Sequence, residues 1–262
     1  MRYRTDANEA FVRWQTVAPS RDAQTWRPSE GSRLSTQNHL IELLAREDRR
    51  RLLAICEPVD LVLGQVVYEP ARPARHVYFP LNSFISLVAM LAGSPGVEVG
   101  MVGREGMLGS QLALGVRATP LRAVVQGSGG ALRAGTVAFR RELARNLTLQ
   151  RTLDRYIAVV LVQLTTSAVC LRFHQIGPRL ARWLLMSQDR ADADTFCITH
   201  EFLAYMLGVR RAGVTAAATK LHRAGLIEYR RGVLTVLDRS GLEAAACPCY
   251  ALDRRDYSER LR

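Results

Sequence analysis

The sequence predicts an α+β chain with two folded parts joined by a long helix. Three observations carry this. Seven short β-rich runs lie between positions 59 and 133, and the stretch from Gly64 to Gly135 holds twelve of the 19 glycines. Next comes an apolar segment, 156–171, of 16 residues without Asp, Glu, Lys or Arg. Finally, a short helix, a glycine turn, an arginine-led helix and a basic hairpin follow one another across 199–237. Short strands punctuated by glycine predict an antiparallel sandwich, roll or barrel. The last pattern predicts a helix-turn-helix with a wing.

Bulk composition narrows the class of partner. The 262 residues carry 36 Lys+Arg against 24 Asp+Glu, a formal net charge of +12. An apolar fraction of 48% excludes a wholly disordered chain and suffices for one or two cores. Such a basic balance points to nucleic acid, a membrane surface or a phosphorylated ligand. Lys220 is the one lysine, and every other cation is arginine. That bias suits bidentate pairing, and the base composition of the source genome explains it equally well. Net charge is +2 over 1–58, +4 over 59–145, +1 over 146–169 and +5 over 170–262. The bulk figure therefore does not locate the partner; individual arginines must.

Residues 1–35 are polar, arginine-rich and aperiodic, and read as a flexible extension without the apolar core of a secretory signal. Residues 38–55 read as one helix, with Leu40, Leu43, Leu44, Leu52 and Ile55 at helical spacing. The strand runs are 59–63, 66–68, 76–79, 84–91, 97–102, 122–126 and 131–133, with a hairpin turn at 92–96. The β domain is expected over 36–147.

A helix is expected over 148–173, within a dimerisation segment spanning 148–174. Leu153, Ile157, Val160, Leu164 and Leu171 recur at intervals of four, three, four and seven, with Ser167 at the missing step. This heptad seam predicts pairing of two copies; an ordinary core helix is the alternative. Its charge-free stretch falls short of the roughly 20 apolar residues that span a bilayer, so no membrane partner is expected. Pro178 suits the first turn of the next helix, 179–188, which opens a C-terminal domain over 175–262. Residues 189–194 read as a polar loop. Five scattered cysteines do not form a secreted disulfide framework, so a cytoplasmic location is expected.

The segment 199–237 carries the chemistry. Thr199 is a good N-cap for the helix ending at Leu207, and Gly208 supplies the left-handed residue that stops it. Arg210 and Arg211 then lead a second helix with Val214, Ala217 and Leu221 on one face and Gly225 at its end. Gly213, Thr215, Ala216 and Thr219 are small enough for close approach. The hairpin tip is Arg230-Arg231-Gly232. From Thr199 to Gly232 there are six cations against two carboxylates. An arginine at the start of such a helix reaches guanine O6 and N7 in the major groove, so double-stranded DNA is the expected partner.

At these residues the chain resembles the Crp/Fnr family of bacterial transcription regulators, over 38 to about 250. The carrying strings are GMVGREGMLG (Gly100 to Gly109) and ITHEFLAYMLGVRRAGVT (Ile198 to Thr215). The resemblance implies a cyclic-nucleotide-binding-like β-roll, a dimerisation helix and a winged helix-turn-helix. By that resemblance Arg211 reads bases, while Ala212 and Ala216 stand where relatives carry a Glu and a second Arg. Thr199, His200, Val209 and Arg210 fall at phosphate-contacting positions. Gly213 and Thr215 share the same face, and Arg230 and Arg231 extend it onto the wing. The implied partners are double-stranded DNA and a second copy, with RNA polymerase and an effector of unknown identity, or none, left open.

The resembled nucleotide pocket departs from the family. Met107 replaces the ribose-binding Glu within Gly106-Met107-Leu108-Gly109, and Pro120-Leu121 replaces the phosphate-binding Arg-Ser pair. Losing that charge-assisted fork costs about 1.5–3 kcal/mol, so control by cyclic AMP is not expected. Arg117 and Arg122 lie nearby as substitutes. No cofactor is expected, and no enzymatic motif stands out among the histidines or hydroxyls. Cys247-Pro248-Cys249 has no second cysteine pair and no neighbouring histidine in sequence, so no metal is expected. The rival reading is a small-molecule-binding β-roll whose basic C-terminal domain serves protein–protein contact.

Overall fold

The computed structural model describes residues 38–90, 96–191, 193–230 and 232–261. The extension over 1–35, most of the 92–96 turn and Arg231 lie outside the described residues.

The expected single helix over 38–55 is two: α1 (His39–Glu42) and α2 (Arg46–Leu53). The reason is tertiary. Asn38 is fully buried; its side-chain amide donates to the carbonyls of Pro80 and Gly106, while its Oδ1 caps the Ile41 N–H. Leu40, Ile41 and Leu44 are buried with it, whereas the charged run from Arg46 to Arg51 stays at the surface. Breaking the helix at Ala45 satisfies both demands. Arg49 closes the break by donating to the carbonyls of Glu42 and Leu44.

All seven strand runs form strands: β1 (Cys56–Leu61), β2 (Val66–Tyr68), β3 (His76–Pro80), β4 (Phe84–Ala89), β5 (Val97–Val102), β6 (Leu121–Gly127) and β7 (Gly129–Gly135). They make two antiparallel sheets, ordered β1-β7-β3 and β2-β6-β4-β5. Pro58 is tolerated in β1 because that strand is an edge, where a missing N–H breaks no inner ladder. The sheets close on a core that includes Leu61, Ile85, Val102 and Val125. This two-sheet closure is the roll the resemblance implied.

α3 (Thr136–Arg145) leads into the long helix α4 (Leu147–Phe173). α4 is long and apolar enough to cross a bilayer by composition alone. It nonetheless packs on the roll: Leu149, Leu153 and Tyr156 are buried in one core with Phe79, Met107 and Phe139. The expected dimer seam is corrected here. Leu153 is fully buried within its own chain and presents nothing to a partner. Ile157, Val160, Leu164 and Leu171 are only partly covered.

α5 (Ile176–Ala191) begins earlier than expected and ends later, inside the expected 189–194 loop, and the short strand β8 (Thr195–Cys197) follows that loop in a stretch the sequence reading left unassigned. Then come α6 (His200–Leu207), α7 (Arg211–Arg223), β9 (Ile227–Arg230), β10 (Val233–Val236) and α8 (Arg239–Ala245). β8, β10 and β9 form a three-stranded antiparallel sheet. The last helix, α9 (Cys249–Arg260), leaves this unit and returns to α4. Leu261 enters the roll core, and Tyr257 donates to the Glu105 carbonyl at 2.5 Å.

Several contacts clamp the C-terminal unit to the roll. Trp183 Nε1 of α5 donates to Glu98 of β5 at 3.0 Å. Arg190 pairs with Glu105 at 2.8 Å, and Tyr205 of α6 reaches Met90 Sδ at 3.5 Å. Phe84, Val88 and Met101 of the roll share one core with Leu180, Leu184 and Phe202.

Candidate nucleic-acid interface

The geometry of α6 and α7 follows from their caps. Thr199 Oγ1 accepts the Phe202 N–H at 3.2 Å, which fixes the start of α6 and leaves the hydroxyl hydrogen free to donate outward. Gly208 sits at φ 62° and ends α6 in the left-handed conformation. The turn then folds back, and the Val209 N–H donates to the Ala204 carbonyl at 2.9 Å. This corrects one expectation: the Val209 N–H is consumed in the turn and is not presented to a phosphate.

α7 buries Val214, Ala217, Ala218 and Leu221, and exposes Arg211, Ala212, Thr215, Ala216 and Thr219. Lys220 and Arg223 extend the exposed cationic side toward its C-terminal end. Arg210 stands at the N-cap, where no side chain caps the helix. An uncapped N-terminus of a 13-residue helix directs backbone N–H groups and a partial positive charge outward. Gly213 departs from expectation, because it is only partly exposed and the side where a Cβ would stand faces α5. A Cβ there would meet Ile176 Cδ1 at 2.7 Å, so the glycine lets α7 seat closely.

His200 is also placed differently from the simple phosphate contact. Its Nδ1 lies 3.1 Å from Thr215 Oγ1, and its ring stacks on Tyr229 of the wing at 4.3 Å. Thr215 already donates to the Arg211 carbonyl, so His200 is the donor in this pair. Burial, and then the charge of Arg211, hold the imidazole below its usual pKa range, so it is neutral at pH 7. Its Nε2 is covered and has no hydrogen-bond partner among the described residues. His200 therefore braces α6, α7 and β9 together. Tyr229 completes the brace by donating to the Ile198 carbonyl at 3.2 Å. Tyr229 had no signal in sequence beyond its place in a strand.

The wing turns at Gly232, φ 83°. Arg230 is 84% exposed; its 3.4 Å contact with Glu228 is too solvated to hold it.

At the turn of the resembled nucleotide pocket the chain packs against its own long helix, and a cavity of about 360 Å³ lined by Glu105, Tyr156 and Val160 lies beside it. Met107 and Leu108 are buried, and Tyr156 of α4 donates to the Met107 carbonyl at 3.2 Å. A Cβ at Gly106 would lie 2.1 Å from the Tyr156 hydroxyl, so the turn closes tightly on α4. Gly109 has φ 104°, under Tyr68 and Val77. Pro120 is exposed and Leu121 half-buried at the head of β6. Of the two nearby arginines, Arg122 pairs with Glu69 at 3.1 Å, and Arg117 is exposed.

One expectation about the cysteines rested on sequence distance and does not survive folding. Cys247 and Cys249 do have a further cysteine and a histidine beside them: Cys170 and His174, from the end of α4.

Comparison with known proteins agrees with this geometry. Residues 178–245 match the family model of the Crp-like helix-turn-helix domain. No curated protein matches the chain by sequence. Among solved structures, FixK2 from Bradyrhizobium japonicum is similar in fold, with a TM-score of 0.62 and 15% identity over 74% of this chain and 98% of that one. The c-di-GMP responsive global regulator CLP from Xanthomonas campestris gives 0.60 and 16%, over 74% and 100%. A CRP-family transcriptional regulator from Thermus thermophilus gives 0.50 and 22%, over 72% and 96%. The matched domain ends before α9, the helix that returns to the roll. The chain thus carries a Crp-like helix-turn-helix domain on the fold of the Crp/Fnr-type DNA-binding transcription regulators.

Proposed function

We propose that the protein is a homodimeric, sequence-specific regulator that binds a pseudo-palindromic operator and is not controlled by cyclic AMP. The observation that carries the reading is the exposed face of α7, where Arg211 leads small residues beside an uncapped helix start and the Arg230 wing. Arg211 is the base-reading residue. Arg210, Thr199 and Arg230 hold the phosphates, as does Arg231, which lies outside the described residues.

Dimerisation uses a stripe one step around α4 from the seam expected at first. Ile157, Leu161, Leu164, Ala168 and Leu171 recur at four, three, four and three. Leu161 is 59% exposed, and Val169 and Phe173 continue the apolar surface beside it. Such a seam left in water is unfavourable at about 25 cal/mol per Å², and a second copy covers it. Independence from cyclic AMP is supported by Met107 and Tyr156, which occupy the turn where a ribose would sit. The protein has no catalytic part in this reading and works in the cytoplasm, where its described thiols stay reduced.

The test pairs two variants. Arg211→Ala is expected to cost about 1–3 kcal/mol on the operator and to relax specificity at one base pair. Arg230→Ala is expected to weaken all sequences alike and to lower the salt slope by about 1. Equal losses on specific and random DNA for Arg211→Ala would remove it from base reading.

A further inference from the structure

We infer that Cys170, His174, Cys247 and Cys249 form a binding site for one zinc ion, which staples the end of the long helix to the C-terminal domain. The four residues come from two places far apart in sequence. Cys170 and His174 are one turn apart at the end of α4, while Cys247 follows α8 and Cys249, beyond Pro248, opens α9. Their ligand atoms all lie within 4.8 Å of one another. Cys170 Sγ is 3.5 Å from Cys247 Sγ, and Cys249 Sγ is 3.5 Å from His174 Nδ1.

These separations fit a single tetrahedral ion. Bonds of about 2.3 Å to sulfur and about 2.0 Å to nitrogen place ligand atoms about 3.5–3.8 Å apart. A two-iron cluster spreads its ligands across two metals and needs wider spacing. The donor set, three thiolates and one imidazole, is a soft set with no carboxylate, which selects zinc over magnesium or calcium. All three cysteines are buried, at 2–4% exposure, so the site is closed, as a structural site requires.

Charge gives a second, independent argument. Arg179 and Arg182 are both buried, and with Cys170 they line one small cavity of about 30 Å³. Arg182 is matched by Asp253 at 2.6 Å. Arg179 donates to the Leu207 carbonyl, and among the described residues no carboxylate pairs with it. A buried guanidinium needs a counter-charge. Zinc with three thiolates and a neutral imidazole carries a net charge of −1, which sets a counter-charge beside Arg179 in a cavity that Glu98 also lines.

The placement gives the ion a mechanical role. α4 belongs to the roll and α5 to the C-terminal unit, and His174 stands at the junction between them. The Cys247 N–H also donates to the Pro178 carbonyl at 3.3 Å. Binding at this point fixes the direction in which the C-terminal unit leaves α4. It also anchors the start of α9, whose far end returns to the roll.

The experiment uses the full chain, purified without a histidine tag or chelator. Elemental analysis is expected to find about one zinc per chain. Anaerobic exchange for Co²⁺ is expected to give the intense visible bands of tetrahedral cobalt and a near-ultraviolet charge-transfer band scaled to three thiolates. His174→Ala is expected to weaken metal binding about 100-fold. His174→Cys restores a four-ligand set and is expected to rescue binding, which separates ligation from a folding defect. Circular dichroism of each variant checks that the fold persists. No bound metal after anaerobic reconstitution with Zn²⁺ or Co²⁺ would overturn the inference. So would iron with acid-labile sulfide, or a Cys170–Cys247 disulfide in protein taken directly from cells. None of these readouts depends on DNA binding, so the site and the proposed function fail or stand separately.

Discussion

Glu98 makes the junction between roll and C-terminal unit sensitive to pH. Its carboxylate lies between Ser86, which donates at 2.5 Å, and Trp183, which donates at 3.0 Å. Burial raises its pKa from 4.5 to about 7, against the opposing hydrogen bonds of Ser86 and Trp183 and the charges of Arg182 and Arg190. In the folded protein the carboxyl thus holds its proton up to about pH 7, whereas the unfolded chain releases it near 4.5. Between those values the native state binds more protons, so stability falls as pH rises. A shift of this size corresponds to about 3 kcal/mol at 1.36 kcal/mol per unit. Glu98 keeps some contact with solvent, which reduces the figure to about 2 kcal/mol. Glu98→Gln keeps the acceptor for Trp183 and cannot ionise. Urea titrations of both proteins across about pH 5 to 8 isolate the term, because every other group cancels in the difference. The variant is expected to be more stable than the parent by about 2 kcal/mol at the alkaline end and nearly equal to it at the acid end. A difference that stays constant with pH, or a variant destabilised at pH 8, would refute the reasoning.

Further outcomes follow from the same structure. Leu161→Arg, on the exposed stripe of α4, is expected to yield a folded monomer in light scattering, whereas Leu153→Ala keeps the dimer and loses about 2–5 kcal/mol of stability. A dimer surviving Leu161→Arg would remove α4 from the interface. Gly106→Ala pushes a Cβ into buried Tyr156 and is expected to cost about 1–3 kcal/mol in denaturant titration. A loss near zero would mean the turn has room to move. Calorimetry with cyclic AMP is expected to show no binding, and micromolar affinity would overturn the reading of Met107 and Pro120.

Local signals were legible, and contacts made by distant residues were not. The Thr199 cap, the left-handed Gly208 and the seven strand runs each depend on a few neighbours in sequence, and each stands where the residues pointed. The break at Ala45 depends on Asn38 reaching Pro80 and Gly106, which no window of sequence contains. Leu153 has the right spacing for a seam, but periodicity does not say which apolar face of α4 the roll already covers. Gly213 looked like a groove-facing small residue because the packing of α7 on Ile176 is a tertiary fact. The same holds for Val209, whose N–H the turn consumes, and for His200, which is tied up between Thr215 and Tyr229. The cysteine cluster is the extreme case: Cys170 and Cys247 are 77 positions apart and meet only because α9 leaves the C-terminal unit beside the end of α4.

The central claim is that two copies present α7 to DNA through a two-fold axis along α4. In-vitro selection of duplexes bound by the full chain tests it most directly. The account predicts enrichment of an inverted repeat whose half-sites lie about one helical turn, roughly 10–10.5 bp, apart, with a guanine at the position that Arg211→Ala relaxes. Recovery of unenriched DNA, or of a single asymmetric site indifferent to Arg211, would contradict it.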